Sequence, residues 1–212
     1  MGQPILLAEL ESHLWEAANI LRGNPVDRTD WKSYILPLLF FKRVCDAWDG
    51  EHAAMLAEYG EDSADEHRFQ IRKKCHWQDV RAAPRNVGTA LANAMRGIEA
   101  ANEKHLYGVF GDAPWTNKER LPDEFLKDLI EHFSEITIGN SRVASDVIGD
   151  AYEFLIRAFA DATNKKAGKL VMSLKRTWKG GVRAVVFEPL ALIARLGSKT
   201  RKRMTRIRTG SK

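Results

Sequence analysis

The chain has 212 residues, 44% of them apolar and 29% charged, with two cysteines and a formal charge of +5. That length suits one core of ordinary size. Two cysteines exclude a disulfide framework, and the longest apolar run, Ile35 to Phe41, is cut by Pro37 and is far short of the roughly 20 residues a bilayer span needs. The charge is unevenly distributed. Of 33 Lys+Arg and 28 Asp+Glu, 13 basic residues but only one acid, Glu188, lie beyond Gly168. Residues 1–168 therefore carry −7 and residues 169–212 carry +12. The chain reads as an acidic body followed by a cationic tail. The N-terminus has no basic stretch ahead of an apolar core, so no secretory signal is expected, and reducing, cytoplasmic surroundings fit the cysteine usage.

Along the body, Leu7, Leu10, Leu14, Ala17, Ala18 and Leu21 recur at three and four residues and predict a first helix, stopped by Gly23-Asn24-Pro25. Asp30 caps a second, with Trp31, Tyr34, Ile35, Leu38, Cys45 and Trp48 on its buried side and Pro37 inside it, where a kink is expected. Residues 60–85 read as an irregular polar loop with a short strand or helix around Trp77. Asn86 to Asn102 is an alanine-rich helix suited to close packing. Gly108, Gly111 and Pro114 mark a turn region containing Phe110 and Trp115. Pro122 opens a helix that buries Phe125, Leu126, Leu129, Ile130 and Phe133. Asp146 caps the last helix, which carries Val147, Ile148, Ala151 and Leu155, with Lys165, Lys166 and Gly168 at its end. Strand-like alternation is nearly absent. The expected fold class is mainly α, a multi-helix bundle over residues 1–168 with a basic tail over 169–212.

Few residues suggest chemistry. Cys75-His76 with His67 matches no common zinc spacing and has no fourth ligand, so no metal is expected. Tyr152-Glu153 has no partner acid or base at useful spacing and reads as structural. No catalytic triad, phosphate loop or metalloprotease motif is present, and no catalytic or cofactor-binding residue is assigned.

Two blocks carry a resemblance. The first is Leu14-Trp15-Glu16-Ala17-Ala18-Asn19-Ile20-Leu21-Arg22-Gly23, followed by Tyr34-Ile35-Leu36-Pro37-Leu38-Leu39-Phe40-Phe41-Lys42-Arg43-Val44-Cys45-Asp46. The second is Ile148-Gly149-Asp150-Ala151-Tyr152-Glu153-Phe154-Leu155-Ile156, with Lys165-Lys166-Ala167-Gly168 after it. Together they resemble the N-terminal helical domain of the modification subunit of type I restriction-modification systems, over about residues 5–168. That subunit is an S-adenosylmethionine-dependent, adenine-specific DNA methyltransferase. The resemblance implies DNA, the specificity subunit, a second modification subunit and the restriction subunit as partners, and no membrane.

The likeness stops abruptly. In the family, Ala-Gly leads into Glu-Phe-Tyr-Thr-Pro and the catalytic domain, whereas here Ala167-Gly168 leads into Lys169-Leu170-Val171-Met172. The family's glycine-rich cofactor loop and its Asn-Pro-Pro-aromatic motif, which holds the flipped adenine, do not occur. The expectation is a domain cut before its catalytic part: no cofactor and no methylation by this chain alone, S-adenosylmethionine belonging to the intact family enzyme. A truncated gene, or a frameshift near codon 168, would account for both the lost similarity and the odd tail.

The candidate DNA-contacting residues are Arg28, Lys32, Lys42 and Arg43 in the body and Arg201, Lys202 and Arg203 in the tail. Lys32 and Arg43 are eleven residues apart and share one helix face. Two readings stand for this stripe: a phosphate-facing surface, or an ordinary solvated face partly neutralised by Asp46 and Asp49. Arg72-Lys73-Lys74 beside Trp77 likewise reads either as a basic loop with a stacking aromatic or as a wet loop. The tail reads as a non-specific polyanion binder or as an incidental polycation. Two other functions stay open: a stand-alone, basic-tailed DNA-binding protein, and an interaction module that competes with a full-length modification subunit.

Overall fold

The computed structural model describes residues 3–23, 25–28, 30–59, 67 and 69–162. Seven helices and no strand occur among them: α1 (Leu7–Leu21), α2 (Lys32–Tyr59), α3 (Trp77–Arg81), α4 (Val87–Ala101), α5 (Glu103–Leu106), α6 (Asp123–Ser134) and α7 (Ser145–Ala162). The described part of the body is mainly α, as its periodicities imply. The tail, with Arg201, Lys202 and Arg203, and the proposed helix end at Lys165, Lys166 and Gly168 lie outside the described residues.

α1 buries Leu10, His13, Leu14, Ala17, Ala18 and Leu21. That stripe packs on α6 and α7. Ahead of it, the backbone N–H of Ile5 donates to the carbonyl of Arg142 at 2.9 Å, tying the start of the chain to the segment before α7. α2 is different in kind. Every residue from Pro37 to Ala47 is buried, including Lys42, Arg43 and Asp46. A helix enclosed on all sides runs through the core rather than over it. Pro37 lies inside α2. It removes one main-chain bond from the helix, and the helix continues through it for more than five further turns.

α3 is a single turn and a half held at its start by reciprocal bonds between His76 and Asp79. Its Trp77 is wedged among Phe41 of α2 and Phe133 of α6, with ring centroids 5.3 and 6.4 Å away, and Phe41 meets Phe110 at 6.3 Å. These rings join α2, α3, α6 and the 108–115 turn into one core. On the surface, Arg81 makes a two-pronged ion pair to Glu131 at 2.8 and 2.6 Å between α3 and α6.

Asn86, the residue just before α4, has a left-handed φ of 55°. The first N–H groups there are capped from a distance. Asp123, the first residue of α6, accepts from Asn86 N at 2.8 Å and Val87 N at 3.1 Å. Next comes Gly88, where a Cβ would lie 1.9 Å from the carbonyl oxygen of Trp115. Only glycine lets α4 approach that turn so closely.

Three sequence expectations shift. Pro122 stands just before α6 instead of in its first turn. α7 starts at Ser145, so Asp146 is inside its first turn rather than capping it. α5 was not anticipated; at four residues it is too short to show a period.

Candidate nucleic-acid interface

The four body residues singled out from sequence fall into two groups. Arg28 and Lys32 are exposed at the entrance to α2. Arg28 lies over the Trp31 ring, 5.2 Å from its centroid, while Trp31 itself is buried and donates its indole N–H to Val26 O at 3.2 Å. A buried ring thus supports an exposed guanidinium from below. Arg120 adds a third cation at this end, 3.7 Å from Asp30.

Lys42 and Arg43 are elsewhere, and here the picture of one exposed stripe is corrected. Lys42 is only 4% exposed and Arg43 only 2%. Lys42 Nζ bonds both oxygens of Asp46, at 2.6 and 2.5 Å, and lies over the Trp77 ring. Arg43 donates to the carbonyls of Ile138 and of Val143 (3.1 Å), and to Asn140 Oδ1 at 2.7 Å. Asp46 Oδ2 in turn accepts the backbone N–H of Ile138 at 2.7 Å. Lys32 and Arg43 do point along the same side of α2. That side is open at the helix start and roofed at Arg43 by the segment between α6 and α7. Burial pushes the Arg43 pKa down to about 10, against the pull of Asp46 and Glu51, so it remains a cation at neutral pH. Its charge is spent on the protein's own carbonyls.

The roofing segment approaches closely at Gly139, where a Cβ would come within 2.8 Å of the Asp46 carbonyl oxygen. A cleft of about 370 Å³ opens beside this lattice, lined by Lys42, Asp46, Trp77, Ser134 and Thr137 among others. Of its charged lining residues, Lys42 and Asp46 already satisfy each other.

Arg72, Lys73 and Lys74 are exposed, but Trp77 is 2% exposed and donates its indole N–H to Ser134 Oγ at 2.9 Å. It is a core ring and offers no stacking face to a base. Cys75, His76 and His67 do not converge. His67 and His76 pack against Trp48, with centroids 4.2 and 4.7 Å away, whereas Cys75 faces Gly97 of α4. Burial raises the Cys45 thiol far above its ordinary range, as expected of a core cysteine. Tyr152 is buried on α7, which pushes its phenol pKa up. The partners of Arg43 were invisible in sequence, because they lie 95 to 100 residues away and two are carbonyls.

What this geometry defines is a helical domain built around one enclosed helix, with Arg28 and Lys32 exposed at that helix's entrance. Comparison with known proteins then places it. The HsdM N-terminal domain family matches residues 10–133, and the chain belongs to that family. It is 24% identical over 198 positions to the type I restriction enzyme MpnII methylase subunit of Mycoplasma pneumoniae, covering 76% of this chain and 36% of that protein. The fold is similar to the crystal structure of the type I restriction-modification system methyltransferase subunit from Streptococcus thermophilus. The TM-score is 0.58 at 22% identity, over 74% of this chain and 39% of that one. The chain therefore matches little more than a third of the length of either relative. No helix among the described residues is long and apolar enough to cross a membrane.

Proposed function

We propose that this domain serves as the helical N-terminal part of a type I modification subunit, where it contributes DNA contacts and docking to the specificity subunit and to a second modification subunit. The family match over residues 10–133 carries this reading. Within it, Arg28 and Lys32 are the body's phosphate-contacting residues, because they are exposed, while Lys42 and Arg43 hold the domain together. S-adenosylmethionine and methyl transfer belong to the catalytic part of such an enzyme and are assigned to no residue here. The working compartment is the cytoplasm, where the DNA is.

The test is salt-dependent DNA binding. Each lost phosphate contact reduces the slope of log K against log salt by about one. The double variant Arg28→Ala/Lys32→Ala is expected to lower that slope by about two. An unchanged slope refutes the assignment. Co-purification with a specificity subunit tests the docking role.

A second reading rests on the charge of residues 169–212, 13 basic against one acidic: non-specific DNA binding by the tail, through Arg201, Lys202 and Arg203 among others. Deleting 169–212 then abolishes binding, whereas under the first reading the body retains it.

A further inference from the structure

Where α1 crosses α6, a group of side chains has no part in the DNA reading. His13, on α1, is 8% exposed, yet its Nε2 has no hydrogen-bond partner. Its ring stacks on that of His132, from α6, with centroids 3.8 Å apart and planes 11° from parallel. Glu16 follows His13 by three residues, on the same side of α1, and is exposed. Donor atoms of His13, Glu16 and His132 lie within 4.8 Å of one another.

The bonding of His132 fixes its tautomer. Its Nε2 sits 2.8 Å from the carbonyl oxygen of His13. A carbonyl only accepts, so Nε2 carries a proton, and in the neutral ring the lone pair is on Nδ1. A ring nitrogen donating to a backbone carbonyl while the other is free for a ligand is the usual support of a metal-bound histidine. Glu135 Oε2 lies 3.7 Å from that Nδ1 and adds negative charge. An orphaned nitrogen, a second imidazole and a carboxylate are thus neighbours, although the stacked rings hold their in-plane lone pairs in nearly parallel planes.

We propose that His13, Glu16 and His132 form a binding site for a divalent transition metal of the zinc class, clamping α1 to α6. Two imidazoles and a carboxylate suit zinc, cobalt or nickel better than magnesium or calcium, which prefer all-oxygen sites. Bonds of about 2.0–2.2 Å require donor atoms closer together than 4.8 Å. Closing the set takes two movements: the exposed Glu16 side chain swings inward, and the His13 ring turns out of its stack on His132 so that both lone pairs meet the ion; water fills the remaining position. Three other histidines, His52, His67 and His76, cluster around Trp48, so the test must tell the two groups apart.

The experiment uses the full chain, stripped with a chelator, titrated with Zn²⁺ by calorimetry and with Co²⁺ by visible absorption. Far-UV circular dichroism confirms that each variant is folded. One metal per chain is expected, with intense low-symmetry Co²⁺ bands. Loss of an outer-shell partner alone weakens metal sites by about 10–100-fold, so Glu16→Gln is expected to weaken binding by at least about 10-fold. His132→Gln removes binding, and His52→Gln leaves it unchanged. Glu16 is exposed, so its variant stays informative even if His132→Gln fails to fold. No stoichiometric binding overturns the proposal. So does binding of undiminished affinity in Glu16→Gln, or binding lost in His52→Gln.

Discussion

Replacing Arg43 by methionine tests whether its charge works inside or outside the protein. Methionine keeps much of the aliphatic stem and removes the guanidinium. Three hydrogen bonds go with it, to Ile138 O, Val143 O and Asn140 Oδ1. Asn140 is exposed and exchanges its lost bond for water. The two carbonyls have less access to water, and each one left unsatisfied costs about 1–3 kcal/mol. The Lys42–Asp46 pair remains internally neutral, so no unpaired carboxylate is left behind, and the full 3–5 kcal/mol of breaking a buried ion pair does not apply. Against the loss stands the relief of no longer burying a guanidinium whose Nε has no partner.

The net expectation is a destabilisation of about 2–4 kcal/mol. For a body of this size that is a drop in melting temperature of roughly 4–16 °C. Urea unfolding followed by circular dichroism reads it as a lower midpoint at constant slope. Arg43→Lys, which keeps a charge but lacks the fork, should fall between the two. A loss below about 0.5 kcal/mol, the range of ordinary surface changes, would refute the reasoning and return Arg43 to the list of free cations.

Other positions give further tests. Gly88→Ala places a Cβ 1.9 Å from the Trp115 carbonyl oxygen; because the obstacle is backbone, a loss of about 3 kcal/mol is expected despite alanine's better helix propensity, and a neutral result would mean that α4 can slide. Asp123→Ala uncaps Asn86 and Val87 and should cost about 1 kcal/mol in urea unfolding. Desolvation raises the Asp123 pKa, but those two N–H groups and Lys118 outweigh it and hold it low, so this contribution is present above the ordinary carboxylate value and fades as pH falls through the folded one. His13 works in a higher window. Its pKa is lowered from 6.5 to about 4, so the unfolded chain takes up the proton first, and the stability lost between pH 6.5 and 4 in chelator is up to about 3 kcal/mol. His13→Gln should flatten that part of the stability curve, and an unaltered curve would exclude His13 as its source.

Most of the helices could be read from spacing, because α1, α4, α6 and α7 each bury one stripe and wet the other. α2 breaks that logic. Over Pro37–Ala47 it has no wet side, so polarity no longer reports exposure, and Lys42, Arg43 and Asp46 look like surface residues while lying inside. What makes their burial tolerable is pairing four residues apart for Lys42–Asp46 and carbonyls about a hundred residues away for Arg43. Only the first could have been noticed in the sequence. Trp77 misleads for a similar reason: the basic run before it is exposed, and the chain turns inward within three residues. The pairing of His13 with His132 spans 119 residues and leaves no local trace beyond the spacing of His13 and Glu16.

The division along α2 separates two properties that a single charged stripe would have joined. Its entrance carries Arg28 and Lys32 in solvent, Arg28 lying over Trp31. Its middle carries Lys42 paired with Asp46, and Arg43 locked to the segment that leads into α7. Charge removed at the entrance should change DNA affinity and its salt slope with stability held within about 0.5 kcal/mol. Charge removed in the middle should change stability, with the salt slope of the still-folded protein unaltered, since a cation facing carbonyls releases no counterion from DNA. Measuring both quantities on Arg28→Ala/Lys32→Ala and on Arg43→Met therefore places each residue by its effect. If both variants move both quantities, α2 transmits strain from its middle to its entrance, and the residues cannot be assigned separately.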